Sequence, residues 1–240
     1  IGSENTIDVG MAPLTNLSNL FDCVAINSSS WAAIFYDSND NDVSITTIDE
    51  VGVNIVASTD IDLTAGTSAQ VEVTQLDDNK FVAIWFNSVA TTNITATVRD
   101  TSNNVVKGSK IIVKDPGNWT SLASATISNG STGEYFVLIW ANSTTTNTQI
   151  LASLFNSSLD IATPTFVIDN SFHKRPLTKT STIINAIGKN IVGIPSLCNE
   201  TFAVAYTNFT NSTVLKTYFI NGSQWNGICP VTDTSNPNLL

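Results

Sequence analysis

Charge is scarce in this sequence. Only 12 % of the 240 residues are Asp, Glu, Lys or Arg, about half the roughly 25 % of an ordinary domain. The net charge is −10 with just ten cations, which argues against a protein that tracks nucleic-acid phosphates. No apolar run approaches the ~18 residues of a membrane span. A single histidine, His173, excludes a multi-histidine metal site. The three cysteines, Cys23, Cys198 and Cys229, lie too far apart for a zinc ribbon. They suit a secreted chain with one disulfide and one leftover thiol, and equally a cytosolic chain with three buried thiols. The sequence begins at Ile1, as expected of a processed chain or a fragment.

What is abundant is uncharged polarity: 27 Asn and 58 Ser plus Thr make up more than a third of the chain. Apolar segments are rich in Val, Ile, Thr and aromatics and are separated at short intervals by Asn, Gly, Ser and Asp, so an all-β chain is expected. The sharpest recurring string is an apolar strand ending in an aromatic: WAAIF at 31–35, FVAIW at 81–85, FVLIW at 136–140 and FAVAY at 202–206. A shorter apolar segment precedes each one where it can be read, as in VEVTQL and ASATI. An alternating strand follows: VSITTI, ITATV, ILASLF and VLKTYF. A last apolar patch closes the unit, near residues 54, 110, 165 and 227.

The central strand is apolar at both parities, with Phe81, Ala83 and Trp85 on one face and Val82 and Ile84 on the other, so each needs cover on two sides. Four-stranded antiparallel units stacked face to face meet that need, and a four-bladed β-propeller is the expected fold. Its repeats cover about 20–60, 68–115, 120–170 and 188–233 of a single domain spanning 1–240. Two tandem β-sandwiches split near residue 116 are the alternative. TIDV at 6–9 resembles a closing strand and makes five such strands for four blades. One terminus could close the ring by completing the last blade and leave the other a loose tail; the extra terminal strand at 1–10, donated to a neighbouring molecule instead, would build a filament. Pro230, in the last such patch, belongs on a sheet edge.

Eleven Asn-X-Ser/Thr sequons occur, at Asn16, Asn27, Asn93, Asn118, Asn129, Asn142, Asn156, Asn199, Asn208, Asn211 and Asn221. They fall in expected turns and connections, so N-glycosylation is expected to supply the hydration that charge does not. Hairpin turns explain an Asn at these places without requiring the Ser or Thr two residues on. Cys198 and Cys229 flank the last unit, but first and fourth strands of one blade are about 14 Å apart, beyond disulfide reach. Cys23 with either partner would join the first unit to the last, and the pairing stays open.

Catalytic patterns are few. His173 lies in SFHKRPLTK with no nucleophile elbow, and reads as a solvated basic loop. The glutamates Glu4, Glu50, Glu72, Glu134 and Glu200 form no local motif for glycosidase chemistry. In DSNDND, Asp37, Asn39 and Asn41 have the 1, 3, 5 spacing of calcium ligands but lack the turn glycine and distal glutamate, which favours a polar hairpin over a metal site. Trp31, Trp85, Trp140 and Tyr206 read as core residues, whereas Trp119 and Trp225 are candidates for exposed contacts. No cofactor or metal is expected.

The order of closing patch, connection, short strand, FVAIW-like strand, loop and alternating strand resembles the repeats of large secreted and surface proteins of bacteria and protists that form propellers. That resemblance implies the blade fold and an extracellular setting, secreted or at the cell surface. Propeller sialidases resemble the architecture too, but hold their acidic sugar with three arginines where this chain has only Arg99 and Arg175. The expected function is therefore a non-catalytic structural glycoprotein, subunit of an extracellular fibril, sheath or coat, with N-linked glycans and other copies of itself as partners. A lectin-like carbohydrate-binding module is the alternative, and an enzyme the least favoured reading.

Overall fold

The computed structural model describes residues 20–37, 42–49, 54–62, 70–77, 79–87, 93–114, 116, 122–128, 134–143, 148–171, 185–189, 200–207 and 213–220. Every regular element among them is a β-strand. The first sheet joins β1 (Phe21–Asn27), β2 (Ser30–Asp37), β3 (Asp42–Asp49) and β4 (Asn54–Asp62) in chain order. The second joins β5 (Gln70–Asp77), β6 (Lys80–Asn87), β7 (Asn93–Asp100) and β8 (Val105–Lys114). The third has β9 (Leu122–Ser128), β10 (Glu134–Ser143), β11 (Thr148–Asn156) and β12 (Phe166–Ser171). The fourth has β13 (Asn185–Lys189), β14 (Glu200–Thr207) and β15 (Thr213–Ile220) among the described residues. All neighbouring strands are antiparallel.

The all-β repeat of four-stranded antiparallel sheets is thus the fold of the chain. The closing strand expected near 227, the TIDV segment at 6–9, Cys198 and Cys229 lie outside the described residues, and with them the questions of strand donation and disulfide pairing. Cys23 carries a free thiol.

The chain divides into two compact units, residues 1–120 with 157–159, and residues 121–156 with 160–240. Each holds two sheets. In the first unit, one core contains Ile26, Ala32, Ile34, Tyr36, Val43 and Ile45 from the first sheet with Val71, Val73, Phe81, Ala83 and Trp85 from the second. The sheets therefore pack face to face, and their first strands β1 and β5 are neighbours. In the second unit β13 likewise runs beside β9, and one face of the third sheet forms a core of Val137, Ile139, Ala141, Ile150, Ala152 and Leu154. Two sheets in a unit, packed face to face in the first, is the layering that blade stacking and a sandwich division share.

Double cover of the central strands is observed. All six residues Phe81–Phe86 are at most 3 % exposed, and Phe136–Ala141 are equally buried. Outer strands are built differently. β8 exposes Val105, Val106 and Ile111 and carries Lys107, Lys110 and Lys114. Its pairing with β7 is interrupted by three register shifts, and that of β4 with β3 also by three. The β2–β3, β6–β7 and β10–β11 ladders run without a shift. Bulges and lysines on an outer strand twist and charge it against pairing with another chain.

The turns after β7 and β11 repeat one design. At β7, Asp100 N donates to Asn104 O (3.1 Å), and Asp100 Oδ1 accepts from the N–H of Ser102 and of Asn104, each at 2.9 Å. At β11, Asn156 N donates to Asp160 O (3.0 Å) while Asn156 Oδ1 accepts from Asp160 N (2.9 Å). The third residue on is left-handed in both, Asn103 at φ 61° and Leu159 at φ 63°. Asn tolerates this conformation and Leu does not, so Leu159 is held there by the burial of its side chain. Burial pushes the Asp100 carboxyl up, but the hydrogen bonds from Asn104 and Ser102 outweigh it and hold the group below the usual carboxylate range. Its contribution to stability is therefore present above pH 3.8 and lost as pH falls through the depressed folded value. Asp100→Ala is expected to cost about 1–2 kcal/mol near neutral pH and to weaken the acid-side loss, as urea unfolding across pH will show.

Candidate functional site

Strand β1 alternates, with Asp22, Val24 and Ile26 on one face and Phe21, Cys23 and Ala25 on the other. Ile26 and Val24 join the core shared with the second sheet, so alternation sends Asp22 to that same face, a place where an apolar residue is the norm. There its Oδ2 accepts the N–H of Val73 on β5 at 2.8 Å, and its Oδ1 accepts the N–H of Cys23 at 2.9 Å. Val73 sits opposite Ala83 on β6, and as β5 is the first strand of its sheet its N–H points out of the open edge. Two residues on along β5, the Gln75 side chain donates to Ile26 O at 2.7 Å. Side chains rather than a backbone ladder thus join the open edges of β1 and β5, satisfying groups that burial would otherwise orphan.

Burial pushes the Asp22 carboxyl up, and the N–H groups of Val73 and Cys23 pull it down by less. A carboxyl that holds its proton more tightly than usual, at a seam between two sheets, is suited to donate that proton. Behind it, burial and then the Asp22 charge push the Cys23 thiol up, which keeps it a thiol rather than a nucleophilic thiolate.

A second polar group lies toward the same end of the first sheet, since Asp22 stands opposite Ile34, three residues before Asp37 on β2. Asp37 and Asp42 face each other across β2 and β3, both buried. Burial, then the charges of Asp37 and Asp42, push the Tyr36 phenol up. Trp85 Nε1 donates to Asp62 Oδ2 at 2.6 Å, and Ser44 Oγ to Asp60 Oδ1 at 2.7 Å. Asn39 and Asn41 lie outside the described residues. Among the described residues no three His, Cys, Asp or Glu side chains converge as metal ligands would.

Of the aromatics expected in the core, Trp85 and Trp140 are buried but Trp31 is 41 % exposed. That expectation is corrected. Trp31 lies opposite Ala25 of the first strand, on the face turned away from the second sheet, and Phe21 on the same face is also exposed. Side chains of Tyr206, Trp119, Trp225, His173, Arg175, Glu4, Glu50, Glu134 and Glu200 lie outside the description, while Glu72 is half-buried on β5.

Four of the eleven sequon asparagines fall on described side chains. Asn27 ends β1 half-buried, and its Oδ1 accepts both the N–H (2.9 Å) and the hydroxyl (3.1 Å) of Ser29, the residue that completes its sequon. Asn142, near the end of β10, and Asn156, at the start of its turn, are also half-buried. Asn93 is buried at the start of β7. Asn16, Asn118, Asn129, Asn199, Asn208, Asn211 and Asn221 have no described side chain.

No protein-family model matches the sequence, and no curated protein matches it. Solved structures do. The NanB sialidase from Streptococcus pneumoniae aligns over 77 % of this chain and 27 % of its own, at 12 % identity and TM-score 0.45. The α-L-arabinofuranosidase from Podospora anserina covers 97 % of this chain and 72 % of its own, at 12 % identity and TM-score 0.41. The catalytic domain of the Coprinopsis cinerea GH62 α-L-arabinofuranosidase covers 93 % and 72 %, at 10 % identity and TM-score 0.39. These neighbours are glycoside hydrolases. Their company overturns the expectation of a non-catalytic coat subunit, its lectin-like alternative, and the reading of the chain as no enzyme. The identities speak to the fold, and the chain spans about a quarter of the sialidase.

Proposed function

We propose that this protein is an extracellular, N-glycosylated hydrolase acting on glycosidic bonds, with Asp22 as the proton donor. The observation that supports this is the Asp22 carboxyl, raised by burial and fixed by two backbone N–H groups where β1 meets β5. A general acid must be protonated when the leaving oxygen needs a proton, and burial of a carboxyl is the usual means. Alternation turns Glu72, next to Val73, to the other face of β5, so it is not the second carboxylate that such hydrolysis employs. A sialidase is not proposed, because Arg99 is buried and a single other arginine remains to hold an acidic sugar.

A screen of the full chain against aryl glycosides and polysaccharides tests the reading. Turnover lost in Asp22→Asn supports it, and replacement of Glu4, Glu50, Glu134 and Glu200 by Gln in turn identifies the second carboxylate. No turnover on any glycoside, or turnover unchanged in Asp22→Asn, refutes it.

The extracellular setting is supported by the eleven sequons and by the resemblance to secreted and surface repeat proteins. At Asn27 and Asn156 the amide oxygen serves the turn, and the sugar linkage uses the nitrogen. Enzymatic deglycosylation in oxygen-18 water followed by peptide mass spectrometry is expected to label Asn27, Asn142 and Asn156 and to leave the buried Asn93 unlabelled. Unlabelled asparagines throughout would remove the glycoprotein part of the proposal.

A further inference from the structure

Arg99 is a cation in the wrong place. Only 8 % of it is exposed, on β7 opposite Phe81 of the core between the first and second sheets, and alternation places it on that same inner face. Its Nη1 donates to Asn103 O at 2.8 Å and, more weakly, to Asn103 Oδ1 at 3.3 Å. Its Nε is buried with no acceptor, and no carboxylate pairs with it among the described residues. Asn103 is itself committed elsewhere, its Nδ2 donating to Ile45 O at 3.4 Å and to Thr59 Oγ1 at 3.3 Å on the first sheet. Two residues along β3 from Ile45, on the same inner face, Thr47 is fully buried and its Oγ1 also lacks a partner among the described residues.

The seam thus gathers one full positive charge and two donors from two sheets, and what is missing is an acceptor. Buried charges in folded proteins are paired, since each unpaired one costs several kcal/mol, and an orphaned buried group marks an ion or water that completes it. Water would satisfy Nε and leave the charge uncompensated. With Arg99 8 % exposed and Thr47 fully buried, a small ion suits the place better than a polyatomic oxyanion or a sugar acid. We propose that Arg99 and Thr47 hold a small monovalent inorganic anion of chloride size between the first and second sheets, where it replaces the missing carboxylate and couples their packing to the anion.

Thermal unfolding of the full chain at fixed pH and ionic strength, with sodium gluconate exchanged stepwise for sodium chloride, tests this. A saturable rise in Tm of about 3–6 °C is expected at chloride roughly tenfold above its Kd, and Arg99→Met is expected to be indifferent to chloride. A chloride-independent wild type overturns the proposal, as does chloride dependence retained in Arg99→Met. Should that variant not fold, crystals of the wild type soaked in sodium bromide decide: an anomalous peak beside Arg99 Nε supports the site, and its absence there overturns it.

Discussion

Trp85→Ala is expected to cost about 3–5 kcal/mol of unfolding free energy, the range for removing a large buried aromatic. Trp85 is 1 % exposed, lies between Val71 and Thr95 in the second sheet, and packs in the core that this sheet shares with the first. Truncation therefore opens a cavity between two sheets, each of which is rigid in its own ladder and cannot collapse into the space. It also deletes the indole N–H that Asp62 accepts at 2.6 Å. Trp85→Phe separates the two effects, keeping most of the ring and losing the donor, for about 1–3 kcal/mol. Urea unfolding monitored by circular dichroism measures both, with Trp31→Ala as the surface control, expected within about 0.5 kcal/mol. A Trp85→Ala loss below about 1 kcal/mol would mean that the two sheets do not depend on this contact.

The contrast between those two tryptophans shows how far the sequence can be read. WAAIF and FVAIW are the same string one repeat apart, and their double-sided apolar pattern correctly announces a strand covered on both faces. In β6 the odd residues Phe81, Ala83 and Trp85 turn toward the first sheet, whereas in β2 it is the even residues Ala32, Ile34 and Tyr36 that meet the second. Trp31 and Phe35 thus share the opposite face, and Phe35 is covered while Trp31, at the strand's first turn, is not. Periodicity reports which face a residue takes. How far along the strand the covering layer reaches is a property of the layer.

Asp22 is not among the candidates singled out from the sequence, although a signal for it exists. Asp22 interrupts the apolar parity of FDCVAI, and a charge at a core position is a signal available from the string alone. What raises its proton affinity is the seam, and what fixes it is an N–H from Val73, 51 residues on, so no search for local motifs could find it. Arg99 was visible only as one of two arginines, because its burial follows from the β7–β8 turn reaching back to Ile45 and Thr59. The same turn explains Leu159. Asn-rich turns advertise left-handed residues, but a leucine forced into that conformation is seen only when the turn of Asp100 is laid over that of Asn156.

Asp22→Asn should lower kcat/KM for a glycoside substrate by about 10²–10⁴-fold, the contribution of a positioned acid, and the pH dependence separates catalysis from scaffolding. The folded-state value of Asp22 stands above the ordinary 3.8, so wild-type activity is expected to fall as pH rises through that raised value. Stability has the same sign. A group with a raised folded value favours the folded state fully below pH 3.8 and loses that contribution as pH rises through the folded value. Asn cannot ionise, so the variant should escape this loss while Asp100→Ala moves the acid limb in the other direction. Added to this pH-dependent difference is a pH-independent cost of about 1 kcal/mol to the variant, because the amide nitrogen meets a backbone N–H that a carboxyl oxygen had accepted. The ratio of variant to wild-type stability across about pH 4–8 is therefore the quantity to measure, alongside the rate. An Asp22→Asn protein that loses activity with a flat stability ratio would make Asp22 a bracket between β1 and β5 and leave the proton donor elsewhere. A ratio that climbs with pH, with activity gone, is the signature of a carboxyl held for its proton at a cost to the fold.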